Sequence, residues 1–85
     1  MEKYRIEFKK SAIKELRCLP KRDINAIDER IQSLAENPRP VDCKKLSTNE
    51  EYRIRHGNYR VIYTIYDNIL VIHVIKVTHR KDVYR

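Results

Sequence analysis

No run of this chain is apolar for long enough to cross a membrane. The most hydrophobic stretch, Ile69 to Val77, is short and broken by His73 and Lys76. The opening residues, MEKYRIEF, lack the apolar core of a secretory signal. A cytoplasmic protein with no membrane partner is expected. Cysteine is scarce too: Cys18 and Cys43 have no metal-ligand spacing. In a reducing compartment they read as small packing residues, so neither a metal nor a cofactor is expected. Internal repeats and low-complexity tracts are missing, which leaves residues 1–85 as one domain with one modest core. What the chain has in excess is positive charge. Nineteen Lys and Arg against twelve Asp and Glu leave +7. That balance implies an anionic partner: nucleic acid, a membrane surface or an acidic protein.

The stretch EYRIRHGNYR, Glu51 to Arg60, carries the sharpest signal. Tyr52, Ile54 and His56 point one way and Arg53 and Arg55 the other. Gly57, the chain's single glycine, stands first in a Gly-Asn pair, as a two-residue II′ hairpin turn wants. That turn sets His56 opposite Tyr59, Arg55 opposite Arg60, Ile54 opposite Val61, Arg53 opposite Ile62 and Tyr52 opposite Tyr63. One face is then apolar, and three arginines crowd the other. Like charges directly opposed across a ladder are destabilising, so a fold gains nothing from the cluster by itself. An anion between the guanidiniums would explain it, and phosphate suits the arginine fork best.

The rest of the chain supplies a frame for that hairpin. Lys3 to Phe8 alternates as a half-buried strand. Ser11 is placed to cap a helix carrying Ala12, Ile13, Leu16 and Leu19. Pro20 ends that helix or opens the next, whose apolar stripe is Ile24, Ile27, Ile31, Leu34 and Ala35. Asn37-Pro38 stops it. A connecting segment follows, with a short strand around Lys44 to Leu46. Strands at Tyr52 to His56 and Tyr59 to Tyr66, a turn at Asp67-Asn68 and a strand from Ile69 to Thr78 complete the order. Under that turn Val61, Tyr63 and Ile65 are expected opposite Val74, Ile72 and Leu70. The last strand is apolar on both faces, which argues for a central position. The fold class is α+β: a small twisted, mainly antiparallel sheet with an N-terminal helical hairpin on one face, β-α-α-β-β-β. The helices cover one face only, so either a partner segment, the simplest candidate, or the curvature of the sheet itself is expected to shelter apolar side chains of the other.

After the last strand come Thr78, His79, Arg80, Lys81, Asp82, Val83, Tyr84 and Arg85. If Arg80 and Tyr84 turn toward Arg53, Arg55 and Arg60, they complete a basic pocket with an aromatic platform. Bases stack on tyrosine and phosphates bind arginine, so the pocket suits single-stranded nucleic acid. A frayed basic tail is the alternative. The basic pair Lys44-Lys45 and His56 at the lip of the turn are read as further RNA contacts.

The order of elements, with EYRIRHGNYRVIY, VIKVTHRKDVY, KKSAIKELRCLP and RIQSLAENP, resembles the RelE branch of the RelE/ParE toxin superfamily over nearly the whole chain. The resemblance implies the toxin of a toxin–antitoxin pair, with a cognate acidic, RelB-like antitoxin as partner. It implies an endoribonuclease that enters the ribosomal A site and cuts messenger RNA without a metal. The nucleotide's own 2′-hydroxyl attacks the adjacent phosphate, leaving a 2′,3′-cyclic phosphate and a 5′-hydroxyl. Arg60 and Arg80 match the arginines that stabilise the transition state or assist the leaving group, and Tyr84 the tyrosine that orients the base. Arg53 and Arg55 fall where other members carry two lysines, one of them proposed as general base. That departure matters, because a guanidinium neutralises a phosphorane but is a poor base. Three routes for the proton stay open. His79 takes it, His56 takes it, or positioning and electrostatics suffice with no protein base. His73, mid-strand among apolar neighbours, reads as structural.

Two other functions fit the same topology. One is a ParE-like toxin that inhibits DNA gyrase by contact, without a catalytic site. The other is a nucleic-acid-binding homologue that has lost activity, a reading to which the short ending at Arg85, with little room for a closing helix, contributes.

Overall fold

The structure, a computed structural model, describes residues 3–46 and 50–79. Within them run β1 (Arg5–Phe8), α1 (Lys10–Arg17), α2 (Lys21–Ser33), β2 (Lys44–Lys45), β3 (Glu51–His56), β4 (Tyr59–Tyr66) and β5 (Val71–His79). The class is α+β, as expected. Five strands form one sheet in the order β1-β5-β4-β3-β2, so β5 is internal. Its pairing with β1 is parallel, and the other three pairings are antiparallel.

Both helices press on the same face. Ala12 and Leu16 of α1 and Ile27 and Ile31 of α2 pack with Tyr52, Ile54, Val61, Tyr63, Ile72, Val74 and Val77 in one core. Tyr63 is fully buried, and its hydroxyl donates to the Pro38 carbonyl at 2.7 Å, so the phenol enters the core without an unmet polar atom. Burial raises the Tyr63 hydroxyl pKa above its ordinary value.

Ser11 does not cap α1. Lys9 stands at the N-cap, with no side-chain bond, and Ser11 falls inside the first turn. The reason is that β1 runs straight into the helix: the Lys9 N–H still bonds the Val74 carbonyl at 2.9 Å, so the corner is built by the sheet. Pro20 opens α2, where a missing N–H leaves nothing unsatisfied.

The β3–β4 hairpin has the register that the Gly57-Asn58 turn dictates, with Tyr52 beside Tyr63, Arg53 beside Ile62, Ile54 beside Val61 and Arg55 beside Arg60. Gly57 sits at φ 60°, and Asn58 stays out of the left-handed region, as a II′ turn requires.

The β4–β5 register departs from the expectation twice. The turn takes four residues, 67–70, with Leu70 at φ 54°, and Ile65 pairs with Ile72, not Leu70. Asp67 is held at the start of that turn by the Tyr4 hydroxyl at 2.5 Å and by Arg39 at 2.8 Å. Then a bulge intervenes. Tyr63 pairs with Val74 but Ile62 with Lys76 and Val61 with Val77, leaving Ile75 as the extra residue. The bulge reverses side-chain parity, so Val77 enters the core and Lys76 turns outward. It falls just where β1 stops, since Phe8 is beside Val74. Beyond that point β5 has no β1 neighbour, and the Val77 N–H donates instead to a Glu15 side-chain oxygen at 2.9 Å.

Candidate nucleic-acid interface

Two rungs of the ladder define a cationic surface on the face away from the helices. In one, Arg55 lies directly opposite Arg60, with Thr78 beyond it on β5. In the next, Lys44, Arg53, Ile62 and Lys76 lie side by side across four strands. Opposed side chains in a ladder start about 5 Å apart, and successive rungs on one face are about 7 Å apart. Five cations therefore stand within two rungs of one another.

Among the described residues none of these five has an ion-pair partner, whereas Arg30 pairs with Asp42, Arg39 with Glu50 and Asp67, and Lys45 with Glu50. Arg53 is the extreme case. Its Nε is buried with no hydrogen-bond partner. Burial pulls the Arg53 guanidinium below the usual arginine range, and the charges of Arg55 and Arg60 push the same way. A buried donor without an acceptor beside three mutually repelling guanidiniums is an arrangement to which an anion would be complementary. Such a site can hold a phosphate by charge-assisted forks and can neutralise charge that builds up on it. It cannot take a proton.

The histidines are distributed unevenly. His56, Tyr59 and His79 form one rung across β3, β4 and β5 on the helix-facing side. The Tyr59 hydroxyl donates to Asp23 of α2 at 2.9 Å, and the His79 ring meets the Tyr59 ring edge-on at 5.0 Å. His73 occupies the arginine face, beside Thr64 and one rung past Ile62 and Lys76. It lines an open hollow of about 700 Å³ with Lys9, Glu51, Thr64, Tyr66 and Ile75. That hollow adjoins the cationic rungs, but it contains Glu51 and none of the arginines. Lys45 is turned to the helix side beside Tyr52 and pairs with Glu50 at 3.0 Å, so Lys44 alone of the basic pair shares the arginine face. Arg80 and Tyr84 lie outside the described residues.

Lys76 is the residue that sequence reading passed over. Strict alternation along β5 assigns it to the core face, and the signal that could have found it is that misfit: a lysine at a core parity marks a break in the alternation. Among the described residues, no group of three or more His, Cys, Asp or Glu could hold a metal ion.

The chain as a whole is similar to known proteins in three respects. The sequence profile of the family described as ParE toxin of type II toxin-antitoxin system, parDE, matches residues 6–84. Toxin RelG of Mycobacterium tuberculosis is 30% identical over 87 residues, covering 96% of this chain and 97% of that protein. Of solved structures, a chain of the RelE–RelB complex from Pyrococcus horikoshii OT3 superposes with a TM-score of 0.82 at 35% identity, covering 91% of this chain and 94% of its own. A chain of the toxin–antitoxin complex RelBE2 from Mycobacterium tuberculosis gives 0.83 at 29% identity, with 94% of each chain covered.

Proposed function

This chain belongs to the ParE toxin family of type II toxin–antitoxin systems, as a RelE-like toxin, and from that premise we propose that its activity is ribosome-dependent, metal-independent cleavage of messenger RNA in the A site. The observation that carries the reading is the set Arg53, Arg55 and Arg60, gathered on one sheet face without an ion-pair partner among the described residues. In the proposed reaction the 2′-hydroxyl oxygen bonds the adjacent phosphorus, and the bond from phosphorus to the 5′ oxygen breaks. A 2′,3′-cyclic phosphate and a 5′-hydroxyl result. Arg55 and Arg60 flank the phosphate and neutralise the pentavalent intermediate, a role for which fixed cations in a preorganised site are suited. By resemblance Arg80 supports the leaving oxygen and Tyr84 stacks on the base.

For the proton of the 2′-hydroxyl we favour the route without a protein base. His79 and His56 belong to the rung with Tyr59, on the other side of the sheet from the guanidiniums. Positioning on the ribosome then supplies the in-line geometry, one water takes the proton of the 2′-hydroxyl, and another gives a proton to the 5′ oxygen as it leaves. Lys44 joins Arg53 in binding the RNA backbone. A RelB-like antitoxin, acidic where it lies over the arginines, is the partner that blocks this surface; solved relatives include toxin–antitoxin complexes of that kind.

The test is to map RNA ends after incubation with programmed ribosomes. Cuts within the A-site codon that leave cyclic phosphate, lost with Arg60→Ala, support the reading. Intact messages with failing DNA supercoiling would favour a gyrase-directed toxin instead.

A further inference from the structure

The second cationic rung has a composition that the cleavage step does not use. Lys76 reaches it only because of the bulge at Ile75, and it stands beside Ile62, which is flanked on its other side by Arg53. Ile62 is half-buried, Lys76 is exposed, and Lys76 is a diagonal neighbour of Arg60, which pairs with Thr78 two residues on. Arg53 and Lys76 are two strand spacings apart, about 10 Å at the backbone, and their long side chains can close on an object lying over Ile62. This rung lies about 7 Å from the Arg55–Arg60 rung, a spacing comparable to that between successive phosphates of an extended single strand. The chain also supports the bulge from behind, with the Val77 N–H bonded to Glu15.

We infer that Arg53, Ile62 and Lys76 form a second nucleotide subsite beside Arg60, in which Arg53 and Lys76 hold the phosphate flanking the scissile one and Ile62 is the apolar floor beneath the intervening sugar. The inference rests on the RNA-cleaving reading and deepens it. The ligand is single-stranded RNA with at least two consecutive phosphates in extended form. Ladder geometry separates the two roles: the Arg55–Arg60 rung faces the reacting phosphate, and the Arg53–Lys76 rung sets which linkage enters it.

The experiment uses the full-length toxin and ribosomes programmed with synthetic messages. In one message the linkage on the 5′ side of the cleaved bond is a neutral methylphosphonate; in another, the linkage on the 3′ side. For one of the two, neutralisation should raise KM for wild type about tenfold, the scale of one charge-assisted contact. Lys76→Ala should raise KM by a similar factor on the unmodified message, leave kcat and the melting temperature unchanged, and suffer no further loss on that methylphosphonate message. Lys76→Arg should restore wild-type KM. Independent, multiplying losses, or a Lys76→Ala enzyme with unchanged KM, would overturn the subsite and leave Lys76 a solvated lysine. If Arg60→Ala abolishes cleavage while Lys76→Ala changes nothing, only this inference fails. If no cleavage of any message occurs with wild type, the RNA-cleaving reading fails and the subsite with it.

Discussion

Glu15 of α1 accepts a hydrogen bond from the backbone N–H of Val77 in β5 at 2.9 Å, and so stands in for the β1 rung that β5 has outrun. A carboxylate is thereby spliced into the sheet at the point where the strand changes parity. The residues beyond it, Thr78 and His79, continue the ladder with β4.

Glu15→Ala should leave the Val77 N–H without its partner and lower stability by about 1–3 kcal/mol. Urea denaturation measures that loss, and amide exchange should show it concentrated at 76–79. Glu15→Gln retains an acceptor oxygen and should recover part of the loss. Equal exchange rates in wild type and Glu15→Ala would mean that the bond does not hold the strand end.

Arg60→Ala should reduce cleavage about a hundredfold or more with the fold intact, as expected when a fixed donor to a developing charge is removed. Full activity with unchanged RNA ends would take Arg60 out of the site.

Arg53 offers the opposite trade. Its Nε is buried without a partner, and its charge is opposed by Arg55 and Arg60. Arg53→Met fills the same volume without charge and should raise stability by about 0.5–1 kcal/mol while weakening RNA binding. A melting temperature below wild type would show that the guanidinium is satisfied in the folded protein.

Acid should loosen the end of the sheet at which Arg39 gathers Glu50 and Asp67. Arg39 and Tyr4 hold the Asp67 carboxyl below its usual range, and Lys45 and Arg39 do the same for Glu50. Carboxyls depressed on folding contribute stability above their unfolded values, near pH 4, and lose it as the pH falls through the lower folded values. Denaturation between pH 6 and 2 should therefore show a decline that Arg39→Ala flattens. A decline of the same size in the variant would assign the acid sensitivity elsewhere.

The route without a protein base predicts a pH–rate profile that His79→Ala leaves with the wild-type shape. A step that disappears in His79→Ala would assign the proton to His79.

How much of this was legible beforehand depends on where the chain announces its turns. Gly57-Asn58 is a two-residue turn with glycine in the one position that needs it, so the register of β3 against β4, and with it the three-arginine cluster, followed from residue types. Asp67-Asn68 resembles such a turn but is not one. Asp67 is claimed by Tyr4 and Arg39, which lie 63 and 28 residues away, and no local pattern announces that competition. The bulge at Ile75 was equally invisible to an alternation rule, except through the oddity of Lys76. Each departure sits beside a long-range contact, Asp67 with Tyr4 and Arg39 at the turn and Val77 with Glu15 past the bulge, and the bulge is the one that brings Lys76 to the cationic face. The helices were legible as amphipathic stripes; the start of α1 was not, because the sheet builds that corner.

Among the described residues β1 pairs with β5 and with no other strand, so it gains its sheet neighbour only once β5 has been made. A nascent chain cannot close its sheet early, and contacts between such distant segments form slowly. The parallel edge therefore makes closing the sheet a long-range event, with β1 fixed to β5 across most of the intervening chain.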